Sequence, residues 1–293
     1  MTLEQLRIFV AVAEREHVTR AAADLRLTQS ATSAAIAALE NRYDTKLFDR
    51  VGRRIELTEA GRLFLTEARA VLARARAAET MLTDLAGLKR GALSLAASQT
   101  VGNYWLPPVM QRYRTSHPGI ALSLRIGNTE QVAQWIHETS ADIGLIEGEI
   151  DDPALAVTQI AEDEMVLVVG RAHPWAGRAS VAPADLSQTH WILREPGSGT
   201  RSIFESWLAE AGIAPESLPV ALEFPSNEAI CGAVEAGTGA TVISRLVAAG
   251  GLRAESLIQV GLALPKRRFY ALRHKERHVT HAERAFAALL SES

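Results

Sequence analysis

The sequence lacks several features that mark particular classes of protein. It has a single cysteine, Cys231, which excludes an internal disulfide and a cysteine-rich metal site and fits a reducing cytoplasm. No apolar run approaches the roughly 18 residues that are needed to cross a bilayer. The N-terminus lacks the small-residue cleavage site of an export signal. These absences predict a cytoplasmic protein with no membrane partner.

Excess charge of either sign is also absent. The 293 residues carry a net charge of −3, with 47% hydrophobic and 22% charged residues. Those values are ordinary for a globular protein, and the length suits two or three domains. Bulk charge therefore gives no indication of a nucleic-acid partner.

The first 58 residues combine helix-capping signals with unusually small side chains. Thr2 and Gln5 have capping-box spacing, which predicts a first helix. Thr19 and Thr28 are expected to cap a second and a third helix. The stretch TRAAADLRLTQSATSAAIAALENR contains many alanines and no aromatic residue. Small side chains let two helices cross closely, as a helix-turn-helix requires.

Short polar side chains crowd the first turns of the predicted third helix. Glutamine can read adenine in the major groove, and serine or threonine can bind bases or phosphates. The next stretch, KLFDRVGRRIELT, indicates a wing with Gly52 at its tip and arginines placed for phosphate or minor-groove contact. The predicted DNA contacts are Thr19, Arg20, Thr28, Gln29, Ser30, Thr32, Ser33, Arg50, Arg53 and Arg54.

The charge of this segment sets a condition on DNA binding. Residues 1–58 contain nine Lys or Arg against eight Asp or Glu, a net charge of +1. A single copy would release few counterions from DNA, so two or more copies acting together are expected. A three-helix scaffold with no DNA role is the alternative.

A long helix is predicted after Thr58, over residues 59–90. Its apolar positions repeat at spacings of four and three: Phe64, Ala68, Val71, Ala75, Ala78, Leu82 and Leu85. This is the heptad spacing of a helix pair, and it predicts dimerisation. The alternative is a helix that packs on its own domain. Gly87 and Lys89 to Gly91 indicate where the helix ends.

After Gly91, short β-rich runs alternate with helical stretches, and this predicts a mostly parallel α/β fold. The runs are ALSLAAS, IALSLRIGN, ADIGLIEG, MVLVVG, HWILRE, VALEFPS, ATVISR and FYALRH. Their order indicates two subdomains, one formed by 91–162 with 266–293 and the other by 163–265. Ligands of open α/β sheets bind at the carboxyl ends of the strands.

Polar residues at these strand ends predict a site for a small anion, either inorganic or a short carboxylate or phosphate. A glycine-rich turn at a helix start presents free N–H groups, and Arg201 adds positive charge. Glu147 suits an anion least, because a carboxylate repels anions. An ordinary capped turn is the alternative. The candidate effector contacts are Ser98, Gln99, Thr100, Asn128, Thr129, Glu147, Gly197, Ser198, Gly199, Thr200, Arg201 and Asn227.

The sequence predicts no metal ligand, no cofactor and no catalytic residue. Three histidines have metal-ligand spacing: His274, His278 and His281. Thr280 and Glu283 form a capping-box pair, so a helix should begin there and the histidines should not share one face. Pro196 stands two positions before Ser198, where a G-x-S-x-G nucleophile motif requires glycine, so Ser198 does not belong to such a motif.

The segment TLEQLRIFVAVAEREHVTRAAADLRLTQSATSAAIAALENRYDTKLFDR resembles the N-terminal domain of LysR-type transcriptional regulators. The resemblance is continuous from Leu3 to Gly61, with one departure: Ala34-Ala35 stand where many members have Arg-Gln. The C-terminal part resembles the periplasmic-binding-protein fold that the family uses as its effector domain. The phrases IGNTEQV and REPGSGTR are similar to a subgroup near Calvin-cycle and sulfur-assimilation regulators.

The resemblance implies an α/β protein with an N-terminal winged helix-turn-helix (1–58), a linker helix (59–90) and a two-subdomain effector-binding domain (91–293). It implies a regulator, not an enzyme, that binds promoter DNA as a homodimer or homotetramer and responds to a small anionic effector in the inter-subdomain cleft. RNA polymerase is a further candidate partner. Two alternatives stay open: a constitutive DNA-binding protein whose C-terminal domain only oligomerises, or an enzyme or metabolite carrier with an appended winged-helix domain.

Overall fold

The structure is a computed structural model that describes residues 1–51, 54–85, 91–148 and 150–291. At positions 50, 51, 54, 77, 80 and 83–85 it describes the backbone only. The predicted wing tip at Gly52 and the predicted helix end around Gly87 to Arg90 lie outside the described residues. The chain divides into two compact units, an N-terminal unit that ends at residue 86 and a second unit with the β-rich remainder.

The described part of the N-terminal unit contains four helices and one antiparallel hairpin. They are α1 (Leu3–Arg15), α2 (Val18–Asp24), α3 (Gln29–Tyr43), β1 (Phe48–Val51), β2 (Arg54–Leu57) and α4 (Glu59–Leu85). The predicted capping box of α1 is present, because Thr2 and Gln5 exchange side-chain bonds with each other's amides at 3.2 and 3.0 Å. The Thr58 hydroxyl accepts from the Gly61 amide at 2.9 Å and so caps α4.

The core of the N-terminal unit is built around Phe9 of α1. Its ring lies 5.4 Å from that of Phe48 and 4.8 Å from that of Phe64, between centroids, and thus joins α1 to the hairpin and to α4. Ala21 and Ala22 of α2 are buried as well. Their small side chains let α2 pack against both α1 and α3, which explains the low hydrophobic volume of this segment.

Helix α2 begins earlier than predicted. Thr19 was predicted to cap this helix, whereas α2 starts at Val18, and His17 precedes it without a side-chain cap bond. Val18 packs against the core of the unit, and this tertiary contact extends the helix backwards. Thr19 therefore lies exposed within the first turn of α2.

The predicted heptad seam of α4 divides into two parts. Phe64 and Ala68 pack into the core of their own unit, as the alternative reading of this helix expected. Val71 and Leu82 are 41% and 69% exposed, so the later part presents apolar side chains outward. The side chain of Leu85 lies outside the described residues.

The described part of the second unit contains nine strands and six α-helices, joined by short 3-10 and π-helical turns. The strands are β3 (Gly91–Ser98), β4 (Ile120–Gly127), β5 (Ile143–Glu147), β6 (Leu155–Gly170), β7 (Trp191–Arg194), β8 (Val220–Phe224), β9 (Ala240–Ser244), β10 (Leu257–Val260) and β11 (Lys266–His274). The helices are α5 (Leu106–Ser116), α6 (Thr129–His137), α7 (Gly199–Glu210), α8 (Asn227–Glu235), α9 (Arg245–Arg253) and α10 (His281–Leu290). Helix α10 begins directly after the predicted Thr280 capping box, which is present. No described helix is long and apolar enough to span a membrane.

The strands of the second unit follow the order β4-β3-β5-β11-β6-β9-β7-β8, with β10 paired to β6. Strand β6 is shared: its residues 155–164 pair with β11, and its residues from Met165 onward pair with β9 and β10. We call the part with β3, β4, β5 and β11 the first half, and the part with β7 to β10 the second half. Strand β11 thus returns to the first half near the end of the chain.

The sheet is mixed and not mostly parallel as predicted. Strand β3 is parallel to β4 and β5, and β7 is parallel to β8 and β9. Strand β6, which the two halves share, and strand β11, which returns to the first half, run antiparallel to their neighbours. Strand β10 and residues 155–164 of β6 were not predicted from the sequence. The latter are half polar and lack the regular apolar alternation of a half-buried strand.

Candidate functional site

The first turn of α3 is exposed at its N-terminal end. The Thr28 hydroxyl accepts from the Ala31 amide at 3.2 Å and fixes the start of the helix. Gln29 and Ser30 follow, and both are exposed. A capped and exposed helix tip of this kind can enter a major groove with its short polar side chains toward the bases.

Thr32 was predicted to contact DNA, and the structure contradicts this. Thr32 is fully buried, and its hydroxyl donates to the carbonyl oxygen of Thr28 at 3.1 Å. Its position one turn after Thr28 places it on the inner face of α3, with Ile36 and Leu39. Ser33 is half-buried beside it.

The remaining predicted contacts in the helices are exposed. Thr19 and Arg20 lie on the surface of α2. Arg26, in the turn between α2 and α3, is also exposed and has a left-handed backbone with φ of 56°. Arg26 is not among the DNA contacts predicted from the sequence. Its position in a two-helix joint, next to the polar tip of α3, is the signal that could have identified it.

The hairpin is anchored by the buried Glu40 carboxylate, which is not among the site residues predicted from the sequence. Glu40 of α3 accepts from the amides of Leu47 and Phe48 at 2.9 and 3.2 Å and from Lys46 Nζ at 3.1 Å. Strands β1 and β2 pair in register from Phe48↔Leu57 to Val51↔Arg54, as the predicted wing requires. The side chains of Arg50 and Arg54, and the whole of Arg53, lie outside the described residues.

In the second unit, the predicted effector contacts gather where strands of both halves end. The first half contributes the ends of β3, β4 and β5, and the second half contributes the loop after β7 with the starts of α7 and α8. Most of these side chains are buried: Ser98, Thr100, Asn128, Thr129, Glu147, Ser198, Thr200 and Asn227.

Glu147 lies at the centre of this cluster. Its carboxylate accepts a hydrogen bond from the Ser98 hydroxyl and another, at 3.4 Å, from the Thr200 hydroxyl. The Thr129 hydroxyl donates to the Glu147 carbonyl oxygen at 3.1 Å. Hydroxyls of both halves therefore converge on one acidic residue.

Asn128 joins the two halves at one side of the cluster. Its Nδ2 donates to Glu195 Oε1 and to the Pro196 carbonyl oxygen, both at 3.3 Å. The amide of Glu130 donates to the Gly197 carbonyl oxygen at 3.2 Å. These bonds hold the start of α6 against the loop that precedes α7.

Gln99 joins the halves at the other side. Its Nε2 donates to the Pro225 carbonyl oxygen, and its Oε1 accepts from the Asn227 amide at 3.0 Å. Asn227 Nδ2 in turn donates to the Thr100 hydroxyl at 3.3 Å. The predicted contacts thus satisfy one another, and the two halves are closed together.

The glycine-rich loop permits this closure. Gly197 has φ of 81°, which favours glycine, and a Cβ at Gly199 would lie 2.6 Å from Thr129 Oγ1. Between them, the buried Ser198 hydroxyl has no hydrogen-bond partner among the described residues. Ser198 is the N-cap residue of α7, so its hydroxyl and the amides of the first helical turn belong to one polar site.

Arg201 was expected to add free positive charge, but carboxylates already balance it. Its Nε donates to Glu205 at 2.6 Å, and its Nη1 donates to Glu223 and to the carbonyl oxygen of Arg194. The sequence shows the i,i+4 spacing to Glu205 but not the tertiary contact with Glu223.

Arg267 is a buried cation that is not among the effector contacts predicted from the sequence. Its side chain is fully buried, its Nε donates to Asp163 Oδ2 at 2.6 Å, and its Nη1 donates to the Thr200 hydroxyl at 3.0 Å. The two-residue alternation of β11 places Arg267 on the same buried side as Phe269, and this alternation was the available signal.

Arg194, at the end of β7, is a second buried cation that was missed. It forms an ion pair with Glu195 at 2.7 Å and donates to Asn227 Oδ1 at 2.6 Å. The Glu195 carboxylate and the Asn227 side-chain amide therefore orient the Arg194 guanidinium within the cluster.

A cavity of about 590 Å³ opens beside the cluster, between α6, β5 and the start of α7. Thr129, Glu147 and the loop from Gly197 to Gly199 line it. Its outer wall also carries four further carboxylates: Glu130, Asp151, Asp152 and Glu205. The cavity is large enough for a small metabolite.

Two family profiles together match nearly the whole chain. Residues 3–62 match the bacterial regulatory helix-turn-helix protein of the lysR family, and residues 86–293 match the LysR substrate binding domain. The chain belongs to the LysR family of transcriptional regulators. This assignment agrees with the exposed helix tip, the wing and the two-part α/β unit, and it confirms the predicted fold class.

This LysR-type regulator is similar to named relatives along most of its length. It is 37% identical over 291 residues to the uncharacterized HTH-type transcriptional regulator YeiE of Escherichia coli K12, covering 98% of this chain and 96% of YeiE. It is 34% identical over 244 residues to the RuBisCO operon transcriptional regulator of Allochromatium vinosum, covering 83% and 80% of the two chains. The second match agrees with the predicted proximity to Calvin-cycle regulators.

Solved structures have the same fold as this LysR-type regulator. Full-length CbnR complexed with its target DNA aligns with a TM-score of 0.72 at 24% identity and covers 100% of this chain and 99% of CbnR. The Synechocystis PCC6803 CcmR regulatory domain in complex with 2-PG aligns with a TM-score of 0.64 at 26% identity, over 69% of this chain and 97% of the domain.

Proposed function

We propose that this regulator binds promoter DNA as a homodimer or homotetramer and that a small anionic effector in the second unit modulates the binding. The observation that carries the effector part is the cluster of buried polar side chains from both halves, which includes the unpartnered Ser198 hydroxyl at the start of α7. Such a site holds a small ligand and couples it to the arrangement of the halves.

The DNA part of the proposal rests on the exposed tip of α3. Gln29 and Ser30 are the side chains that read bases, and Thr28, Ser33, Thr19 and Arg20 contact bases or phosphates around them. Arg26 joins this set because of its exposure beside the tip. Arg50, Arg53 and Arg54 of the wing contact phosphate or the minor groove.

Self-association is supported by apolar side chains on the surface of each unit. In the N-terminal unit, Val71 and Leu82 of α4 are exposed. In the second unit, β4 and β8 form the two ends of the sheet path, and they expose Ile126, Val220 and Leu222. Pairing of copies also supplies the positive charge that one domain with a net charge of +1 lacks.

The anionic character of the effector rests on the hydroxyls and amides at the start of α7. Ser98, Ser198 and Thr200 supply hydroxyl donors, and the first turn of α7 supplies the positive end of the helix dipole. That the CcmR domain binds 2-PG supports an anionic metabolite as the class of ligand.

Calorimetry with the full chain tests the effector class. Sulfite, sulfate, 2-phosphoglycolate and short dicarboxylates are titrated separately. Saturable heat from at least one anion, abolished or strongly reduced in Thr200→Val, is the expected result. Absence of heat from every anion contradicts the anionic class.

A second candidate function is constitutive DNA binding, with a second unit that serves only to oligomerise. The observation in its favour is that the cluster is already satisfied: Asn128, Gln99, Asn227 and Arg201 all bond within the protein. Under this function, saturation with each anion leaves the thermal midpoint of the full chain unchanged, whereas a bound effector raises it.

A further inference from the structure

Glu147 is a buried acid held without a cation of its own. It is 1% exposed at the end of β5, where it pairs with Phe269 of β11. Among the described residues, no lysine, arginine or histidine forms an ion pair with it. Its carboxylate is held instead by the Ser98 and Thr200 hydroxyls. A buried carboxylate held only by neutral donors is costly when it is ionised.

The donors that hold Glu147 are the same donors that we assign to the effector. The Ser98 and Thr200 hydroxyls belong to the proposed anion site, and the Glu147 side chain approaches the start of α7, since a Cβ on Gly199 would lie 2.9 Å from Glu147 Cγ. The buried cation Arg267 donates to the Thr200 hydroxyl and is itself paired with Asp163. The carboxylate therefore occupies the surroundings expected for an oxyanion ligand.

We propose that Glu147 is a resident competitor of the effector: its carboxylate takes the place of the effector's anionic group, and the effector binds by displacing it. This inference rests on the proposed anionic effector site. The side chain has space to move, because Glu147 lines the cavity of about 590 Å³ beside the cluster. Like charges cannot share these donors at low cost, so Glu147 sets the affinity for the effector and excludes weakly bound anions.

The test measures anion affinity after the charge of Glu147 is removed. Full-length wild type and Glu147→Gln are titrated by calorimetry with sodium sulfate and with 2-phosphoglycolate at constant ionic strength. Because the repulsion of a like charge at the site is lost, Glu147→Gln is expected to bind at least about tenfold more tightly.

Glu130→Gln is the matched control for general electrostatics. Glu130 is an exposed acid on the wall of the same cavity, and its side chain is not among the donors or acceptors of the cluster. Screening reduces its influence, so its removal is expected to change affinity less than about threefold. The gain of Glu147→Gln should also disappear in the double variant S98A/E147Q, because the anion then loses a shared donor.

The outcomes separate this inference from the proposed function. Saturable anion binding by the wild type with equal or weaker binding by Glu147→Gln overturns the competitor role and leaves the effector site in place. Absence of binding in the wild type and in Glu147→Gln overturns both. Thermal melting checks that each variant is folded; if Glu147→Gln is not, Glu147→Ala carries the same expectation of tighter binding.

Discussion

At the scale of single residues, we expect base recognition to depend most on the Gln29 side chain. It is exposed in the first turn of α3, where the Thr28 cap fixes the backbone. We expect Gln29→Ala to weaken binding to the specific promoter site by about 1–3 kcal/mol, because a glutamine contact to a base edge is lost. Electrophoretic mobility shifts on specific and unrelated DNA measure the effect.

Thr32→Val is the control for this prediction. Thr32 is fully buried on the inner side of α3, and its hydroxyl donates to the carbonyl oxygen of Thr28. The Thr32→Val substitution should alter the stability of the protein slightly and leave its preference for specific DNA unchanged. An equal loss of specificity in Gln29→Ala and Thr32→Val would show that α3 does not read DNA through its exposed tip.

Gly199 is the residue that allows the two halves of the second unit to close. An added Cβ would lie 2.6 Å from Thr129 Oγ1 and 2.9 Å from Glu147 Cγ, both closer than nonbonded atoms tolerate. Gly199→Ala should therefore hold the halves apart and lower anion affinity at least about tenfold, as loss of ligand-binding geometry does. Calorimetry measures the affinity, and amide hydrogen exchange in α6 and α7 measures the opening.

Gly232→Ala provides a matched control in the same unit. Gly232 lies within α8, and a Cβ there would meet nothing within 4 Å. Replacement by alanine in a helix interior should raise stability by about 0.5–1 kcal/mol and leave anion binding unchanged. Wild-type affinity in Gly199→Ala would show that closure of the halves is not needed for binding.

At the scale of elements, the start of α10 contains a pH-dependent contribution to stability. Burial, and then the negative charge of Asp142, raise the pKa of Glu283 to about 7, with Arg277 opposing the shift. A carboxyl whose folded pKa exceeds its unfolded value stabilises fully below the unfolded pKa and loses that contribution as pH rises through the folded pKa. Stability from this group should therefore fall between about pH 4.5 and 7.

Glu283→Gln isolates this contribution. Glutamine keeps a side-chain oxygen for the bond from the Thr280 amide, so the capping box survives, but it does not ionise. We expect the variant to gain stability relative to wild type, on the order of 2 kcal/mol, as pH is raised from 5 to 8. Urea unfolding at several pH values measures the difference, and parallel pH profiles for both proteins would contradict the assignment.

Helix α4 is expected to join two copies through its exposed apolar side chains. Leu82 is 69% exposed on the predicted seam. Because burial of a leucine contributes about 1.5–3 kcal/mol, Leu82→Glu should weaken dimerisation at least about tenfold. Sedimentation equilibrium measures the association. Thr66→Glu, an exposed change of equal charge on another face of α4, should not alter it, and equal effects of both changes would contradict a seam at Leu82.

Elements defined by local chemistry could be predicted from the sequence, and tertiary pairings could not. The caps at Thr2, Thr28 and Thr280 depend on residues three positions away, so their spacing was sufficient. The pairing of β6 residues 155–164 with β11 joins residues more than a hundred positions apart through backbone bonds, which side-chain patterns do not encode.

The same distinction applies to the candidate site. The positions of Ser98 and Asn227 in the site could be predicted, because ligands of open α/β sheets bind at the carboxyl ends of the strands. The ion pair of Arg201 with Glu223 and the burial of Arg267 depend on how distant strands align, so the sequence overstated free positive charge at the site. Thr32 was misplaced because the polar first turn of α3 was read without the face that packs inward.

At the scale of the whole molecule, effector and DNA are coupled only if the effector binds two arrangements of the protein with different affinity. In the second unit, direct bonds between the halves, such as Asn128 to Pro196, hold the arrangement seen here, and we expect the second arrangement to be one in which these bonds are broken. Under the proposed function, each copy would bring one DNA-reading helix and one effector site, and coupling would act through the oligomer.

The most direct test is a nuclease footprint of the full chain on its own promoter, with and without an anion that calorimetry has shown to bind. Saturation with that anion should change the length or position of the footprint in the wild type, and Gly199→Ala should require a much higher anion concentration for the same change. An identical footprint with and without saturating anion would contradict effector control of DNA binding.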